Sequence, residues 1–292
     1  MCERQAGNVL SRGLKWILKR KSNQKWIFAP AEMNRNRILC LITLAAWGFL
    51  PFSGHAQSLK LGLYSEPVMT WMSSTDKEIK TRGNNLGLRM GVSGEYLFHT
   101  RWALVASTNL SINQGGSLLY QTGGNFWLES ELKAPNYNLG QKPVPDNSRL
   151  TYQVQFWEAG LGLKYRLERH EEKNYYLEPL KMGIHKLLKA RGAIHKDGLL
   201  TGGENILPDL QKISFSIGGG LGQERRIGRN TWLSAGICYQ WYLSDLTRNH
   251  GFKTRIVSQG NQGDPNHDIY TRLPENSKTF IHSLSLRLGF VF

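Results

Sequence analysis

The sequence predicts an all-β fold, an eight-stranded antiparallel transmembrane β-barrel of the outer-membrane kind, on three observations. Short segments alternate apolar and polar residues with period two, and none shows sustained helical periodicity. The connections between those segments run long and short in turn. An export signal stands ahead of them. A soluble β-sandwich also alternates with period two, so the connections and the signal must separate the two folds.

The signal comes first in the chain. Met33-Asn34-Arg35-Asn36-Arg37 is a charged start, Ile38 to Phe52 is almost uninterrupted apolar sequence, and Ser53-Gly54-His55-Ala56 supplies small residues for cleavage after Ala56. The apolar run, interrupted near its end by Pro51, is shorter than the roughly 20 residues a spanning helix needs. Residues 1–32 read as an over-extended start, 33–56 as a signal peptide and 57–292 as the barrel domain. The alternative for 1–32 is a basic amphipathic surface helix around Leu14–Lys21. Of 37 Lys+Arg and 22 Asp+Glu, nine basic and two acidic residues fall before Gln57. The remaining 28 basic and 20 acidic residues are dispersed, without the concentrated patch that nucleic-acid binding requires. One cysteine, Cys238, remains beyond Ala56, so that part forms no internal disulfide.

The closing strand is the clearest. Over 280–292, Leu284, Leu286, Leu288, Phe290 and Phe292 make one face, and Ser283, Ser285, Arg287 and Gly289 the other. Residues 86–96 repeat the scheme, with Leu86, Leu88, Met90, Val92 and Tyr96 opposite Arg89, Ser93 and Glu95. Residues 157–167 place Glu158, Lys164 and Arg166 on the polar face, and 212–221 alternate likewise. Further strands fall at about 58–72, 101–118, 174–190 and 230–246, for eight in all. The connections are then 73–85 long, 99–100 short, 119–153 very long, 168–173 short, 191–211 long, 226–229 short and 247–279 very long. Outer-membrane barrels have this asymmetry, with an even strand count and both termini on the short-turn side. Aromatics at Trp71, Trp102, Phe126, Trp127, Phe156, Trp157, Tyr175, Tyr176, Trp232, Trp241 and Tyr242 fall near strand ends, as an interfacial girdle would.

The inward face is expected to carry Arg89, Glu95, Glu158, Lys164, Arg166, Lys212, Glu224 and Arg287. Charges inside an eight-stranded barrel must be paired, and such an interior is only wide enough for side chains to fill it. The expectation is a plugged lumen, with a narrow gated channel as the alternative. Gly218-Gly219-Gly220-Leu221-Gly222 lacks the Lys-Ser/Thr and the helix of a phosphate loop, and reads as strand where space is short. His170-Glu171-Glu172 lacks a second histidine at helical spacing, and His99, His185, His195, His250, His267 and His282 show no ligand spacing. A lipid-modifying enzyme would have to draw on long-loop residues such as His195, Asp197, His250 or His267 with Asp264 or Asp268, which no motif fixes. No catalytic, cofactor-binding or metal residue is therefore named, and no enzyme is expected.

Leu61-Gly62-Leu63-Tyr64, the run Trp157 to Arg166 and the closing Leu286-Arg287-Leu288-Gly289-Phe290-Val291-Phe292, behind a signal ending Ala56-Gln57, together resemble the small outer-membrane β-barrel proteins of Bacteroidetes, often called PorT-like. The resemblance covers roughly 58–292 and rests on loose patterns. The long Gly-, Pro- and Asn-rich second and fourth outer loops depart from it. It implies an outer-membrane location and a role in display, assembly or secretion through the outer loops. It also implies that Phe292 is similar to the terminal aromatic recognised by the barrel-assembly machinery. Outer-membrane lipid, lipopolysaccharide and loop-bound proteins are the expected partners.

Overall fold

A computed structural model describes residues 59–130, 132, 143–169, 172–196, 199–248, 251–258 and 269–292. Segments 1–32 and 33–56 lie outside the described residues, as do Asp197, His250, Asp264, His267 and Asp268. Twelve strands are numbered in chain order: β1 Leu59–Ser74, β2 Ile79–Leu97, β3 Trp102–Tyr120, β4 Gly124–Asn125, β5 Ser148–Arg169, β6 Lys173–Lys196, β7 Leu199–Asn205, β8 Ile213–Arg226, β9 Trp232–Tyr242, β10 Phe252–Ser258, β11 Ile269–Pro274 and β12 Thr279–Val291.

Eight of them form a closed ring, β1-β2-β3-β5-β6-β8-β9-β12, antiparallel throughout. Closure runs from Gly62 opposite Val291 to Ser74 opposite Thr279, so the ring leaves no unpaired edge. Leu61 and Phe292 exchange backbone hydrogen bonds of 3.1 and 2.7 Å, placing both ends of the barrel on the side of the short connections 98–101 and 227–231.

Alternation has the polarity of a membrane barrel. Outward Leu86 is 75% exposed, Leu161 53%, Leu221 60% and Phe290 47%, while inward Arg89 is 1% and Glu224 0% exposed. In a sandwich those apolar faces would pack together as the core. Here they form a belt around a polar interior, which is stable only in lipid.

The ring matches the eight expected strands, but the strands on the loop side are longer. The connection expected at 73–85 is only 75–78, because β2 begins at Ile79. Above the belt its outward residues Lys80, Arg82 and Asn84 face water, so the apolar half of the alternation is missing from the sequence there. β5 likewise begins at Ser148 and β6 continues to Lys196. Two β-bulges invert the inward phase at this level. In β3 the register shifts between Ser111 and Gln114, with Asn113 at φ 59°. In β6 Leu188 is passed over between the pairs Phe156–Leu187 and Gln155–Lys189.

Above the belt the interior turns apolar. Met72, Leu118, Leu150, Tyr152, Val154, Phe156, Ile194 and Tyr242 meet loop residues Trp127, Leu132, Val144, Ile206, Leu210 and Leu246 in one core. A three-stranded sheet, β11-β10-β4, and a short 3-10 turn, Leu207–Asp209, belong to the same loop-side structure. Several girdle aromatics expected at the interface therefore point inward: Trp127, Phe156 and Tyr242 fill this core, and Tyr176 crosses the lumen.

Candidate functional site: the lumen and its cap

The interior is layered along the barrel axis. Nearest the short turns, Lys164 Nζ pairs with Glu95 and Glu224, and Arg166 Nη2 donates to Glu95 Oε2 at 2.7 Å. Lys164 also lies 4.2 Å from the centre of the Tyr176 ring. Tyr176 lies across β8 and β9, and a Cβ at Gly222 or Gly236 would sit 2.5 Å from its hydroxyl. That explains the glycine in β8 better than any phosphate loop.

In the next layer Glu66 accepts from Arg89 Nη1 at 2.8 Å, Arg287 Nε at 2.6 Å and Ser285 Oγ at 3.2 Å. Arg287 Nη1 reaches Glu178 Oε1 at 2.6 Å, and Arg89 Nε lies 3.0 Å from Glu158 Oε2. Five buried acids, Glu66, Glu95, Glu158, Glu178 and Glu224, thus meet Arg89, Lys164, Arg166 and Arg287, while the buried Lys181 Nζ has no hydrogen-bond partner among the described residues. The cavity between Tyr64, Ser107, Glu178, Lys181 and Arg287 is about 20 Å³, the size of one water molecule.

Seven of the eight expected inward charges are in this network; Lys212 is not. It is exposed at a bend before β8, where its carbonyl accepts from the Leu187 amide. Glu66, Glu178 and Lys181 point inward beyond the expected eight, and His185, a solvated or interfacial histidine on its sequence spacing, is instead fully buried in the lumen. The alternation of 58–72 and 174–190 carries the signal for them, apart from two bulges in β6 that displace the phase.

A third layer has the connectivity of a hydrolase relay. His185 Nε2 is 2.6 Å from Ser216 Oγ, and His185 Nδ1 is 3.5 Å from Glu158 Oε1. Such a relay needs room for a substrate beside the serine. Here Gln240 Nε2 donates to Ser216 Oγ at 2.6 Å, Phe156 and Tyr242 pack on the imidazole, and His185 is 0% exposed. The arrangement joins the charged layers to the apolar core above and leaves no substrate space.

Of the loop residues considered for chemistry, His195 alone is described. It lies next to last in β6, where burial and then nearby Arg149 hold its imidazole below the ordinary range. Among the described residues no cluster of His, Cys, Asp and Glu has the geometry of a metal site. At the rim, Lys253 Nζ bridges Asp76 and Glu78. Burial opposes its charge, but hydrogen bonds from Lys253 to those carboxylates keep its pKa above the ordinary value. Burial pushes the Glu275 carboxyl up to about 7; the Ser277 amide and Lys253 oppose this, while Asp245 and Asp76 add to it.

No family model and no curated protein matches the chain. Among solved structures it is similar to Neisserial surface protein A, at 12% identity over 79% of this chain and 95% of that one, TM-score 0.36. It is also similar to Ail, the attachment invasion locus protein of Yersinia pestis, at 11% identity over 80% and 98%, TM-score 0.31. A third is the outer membrane protease OmpT from Escherichia coli, at 8% identity over 80% and 94%, TM-score 0.29. The fold itself is established by ring closure, the exposed apolar belt and the ion-paired interior: the chain is an eight-stranded antiparallel transmembrane β-barrel of the outer-membrane class.

Proposed function

We propose that this is a non-enzymatic outer-membrane barrel with a structural, display or assembly role, acting through its loop-side surface. The observation that carries this reading is the double seal: five acid and five basic side chains fill the lumen, and an apolar core closes the loop end above them. A lumen filled in this way, with the hydrolase-like trio of the described residues buried inside it, leaves the outer surface for function. The PorT-like resemblance of residues 58–292 supports a version as a secretion-system accessory. Phe292, 51% exposed at the end of β12, suits recognition by the assembly machinery. Loop-side partners are proteins or lipopolysaccharide.

The test is refolding of residues 57–292 in detergent, followed by planar-bilayer recording. A boiling-sensitive fast-migrating band with no unitary conductance is expected. Steady conductance steps would favour the narrow channel, and release of acyl chains from purified lipopolysaccharide would favour a lipid-modifying enzyme. A soluble protein with no mobility shift would overturn the membrane reading itself.

A further inference from the structure

The outer wall differs from side to side where the apolar belt ends. On β1, β9 and β12 the boundary is aromatic: His282 stacks between Trp71, at 5.6 Å, and Trp241, at 6.1 Å, and its Nδ1 is 2.9 Å from the Tyr239 hydroxyl. On β6 it is cationic. Outward Met182 and Ile184 belong to the belt, then Lys186, Leu188, Lys189 and Arg191 are all exposed. At the β-bulge, Leu188 and Lys189 are exposed side by side, so an apolar and a charged side chain leave the wall together. Across the ladder, Lys189 faces Gln155 and Arg191 faces Gln153 on β5, while Lys186 faces Trp157 on β5 and Ile213 on β8. Exposed Lys212 lies beside them, through its carbonyl bond to Leu187.

Exposed lysines on a strand are ordinarily solvated and neutral in consequence. Two features distinguish this group. Among the described residues no carboxylate pairs with Lys186, Lys189, Arg191 or Lys212. The cations also begin one outward position above the belt residue Ile184, where the membrane reading puts the lipid headgroups. Because of the bulge, Lys186 to Arg191 spans only the β5 stretch from Trp157 to Gln153, roughly 13 Å at the rise of a strand, enough to meet two phosphates on one headgroup. A cation at this level is drawn to anionic headgroups, and outward Met182 and Ile184 give an acyl chain a surface beneath it, with Trp157 beside Lys186.

We propose that Lys186, Lys189 and Arg191, with Lys212 beside them, form a site for the phosphates of an anionic glycolipid in the leaflet around the loop end. The proposal rests on the membrane reading above, and the experiment keeps the two apart.

Full-length protein in detergent is titrated with bisphosphorylated lipid A, with the same glycolipid after removal of both phosphates, and with inorganic phosphate. Wild type and the variant K186Q/K189Q/R191Q are compared. With each cation contributing about fivefold, the triple variant should bind the bisphosphorylated lipid roughly a hundredfold more weakly, and the dephosphorylated lipid should not distinguish the two proteins. K80Q/R82Q, altered at exposed cations of β2 away from this wall, should bind as wild type. Equal affinity of wild type and triple variant, an equal loss in K80Q/R82Q, or displacement of the lipid by millimolar phosphate would each overturn the site. Heat-modifiable mobility is read on every variant: its absence in the wild type is a failure of the membrane reading, not of this site. If the triple variant alone fails to fold, K189Q serves in its place, with an expected loss of about fivefold.

Discussion

In the half of the barrel nearer the short turns, inward positions carry Glu66, Arg89, Glu95, Glu158, Lys164, Arg166, Glu178, Glu224 and Arg287; in the half nearer the loops they carry Met72, Leu118, Leu150, Tyr152, Val154 and Ile194. The outward faces are reversed, apolar below and polar above. The two halves use the same ladder and the same alternation, yet each is the inverse of the other in section. Lipid outside demands a filled interior and tolerates a polar one, whereas water outside demands an apolar core. The boundary between them is marked on β3 and β6 by bulges at Asn113 and Leu188, where the phase changes.

The largest expected effect attacks the lower half. Glu66→Gln takes the charge from between Arg89 and Arg287, both nearly or fully enclosed, and leaving a buried charge unmatched costs about 3–5 kcal/mol. Urea unfolding of the refolded barrel, followed by gel mobility, should show that loss; a smaller loss than a surface substitution produces would mean that water compensates the arginines.

Leu150→Ala breaks the upper half instead. Leu150 is fully buried in the apolar core, and such a truncation costs about 2–5 kcal/mol. Because the ion-paired half is separate, the fast-migrating band should survive while protease cuts appear between β3 and β5. Loss of both together would show that the halves unfold as one unit.

A third, smaller effect is pH dependence confined to the cap. The Glu275 carboxyl, raised by burial from its usual 4.5 to about 7, is favoured in its neutral form by the folded cap. Its contribution is therefore fully present below about pH 4.5 and is lost as pH rises through about 7. Amide-exchange protection of residues 275–279 should fall between pH 5 and pH 8 after correction for intrinsic rates. Glu275→Gln should flatten that response, and an unchanged profile would remove Glu275 from the account.

Much of the lower half was legible because lipid enforces strict alternation. Leu284 to Phe292, Leu86 to Tyr96 and Trp157 to Leu167 could be assigned to faces residue by residue. The loop-side extensions were not. Once Lys80 and Arg82 replace leucines on the outside, a strand such as Ile79–Asn85 resembles a polar loop, and only its partners in β3 reveal it. Lys212 departs from its expected face because the alternation of 212–221 runs unbroken in the sequence while the chain bends before Ile213. Lys186, Lys189 and Arg191 are hidden for a related reason: the irregularity between Glu178 and Lys181 and the bulge at Leu188 each shift the phase, which no period-two reading permits.

The lumen pairs also constrain how the barrel can assemble. Glu66 and Arg287 stand 221 residues apart, Glu178 and Arg287 109, and Lys164 and Glu224 60. A nascent sheet of β1 to β3 holds Glu95 with neither Lys164 nor Arg166, and only β12 brings the second arginine to Glu66. Every partial sheet would therefore present unmatched charge to hydrocarbon, at several kcal/mol for each ion. Intermediates of that kind are disfavoured by that cost, which couples insertion to ring closure.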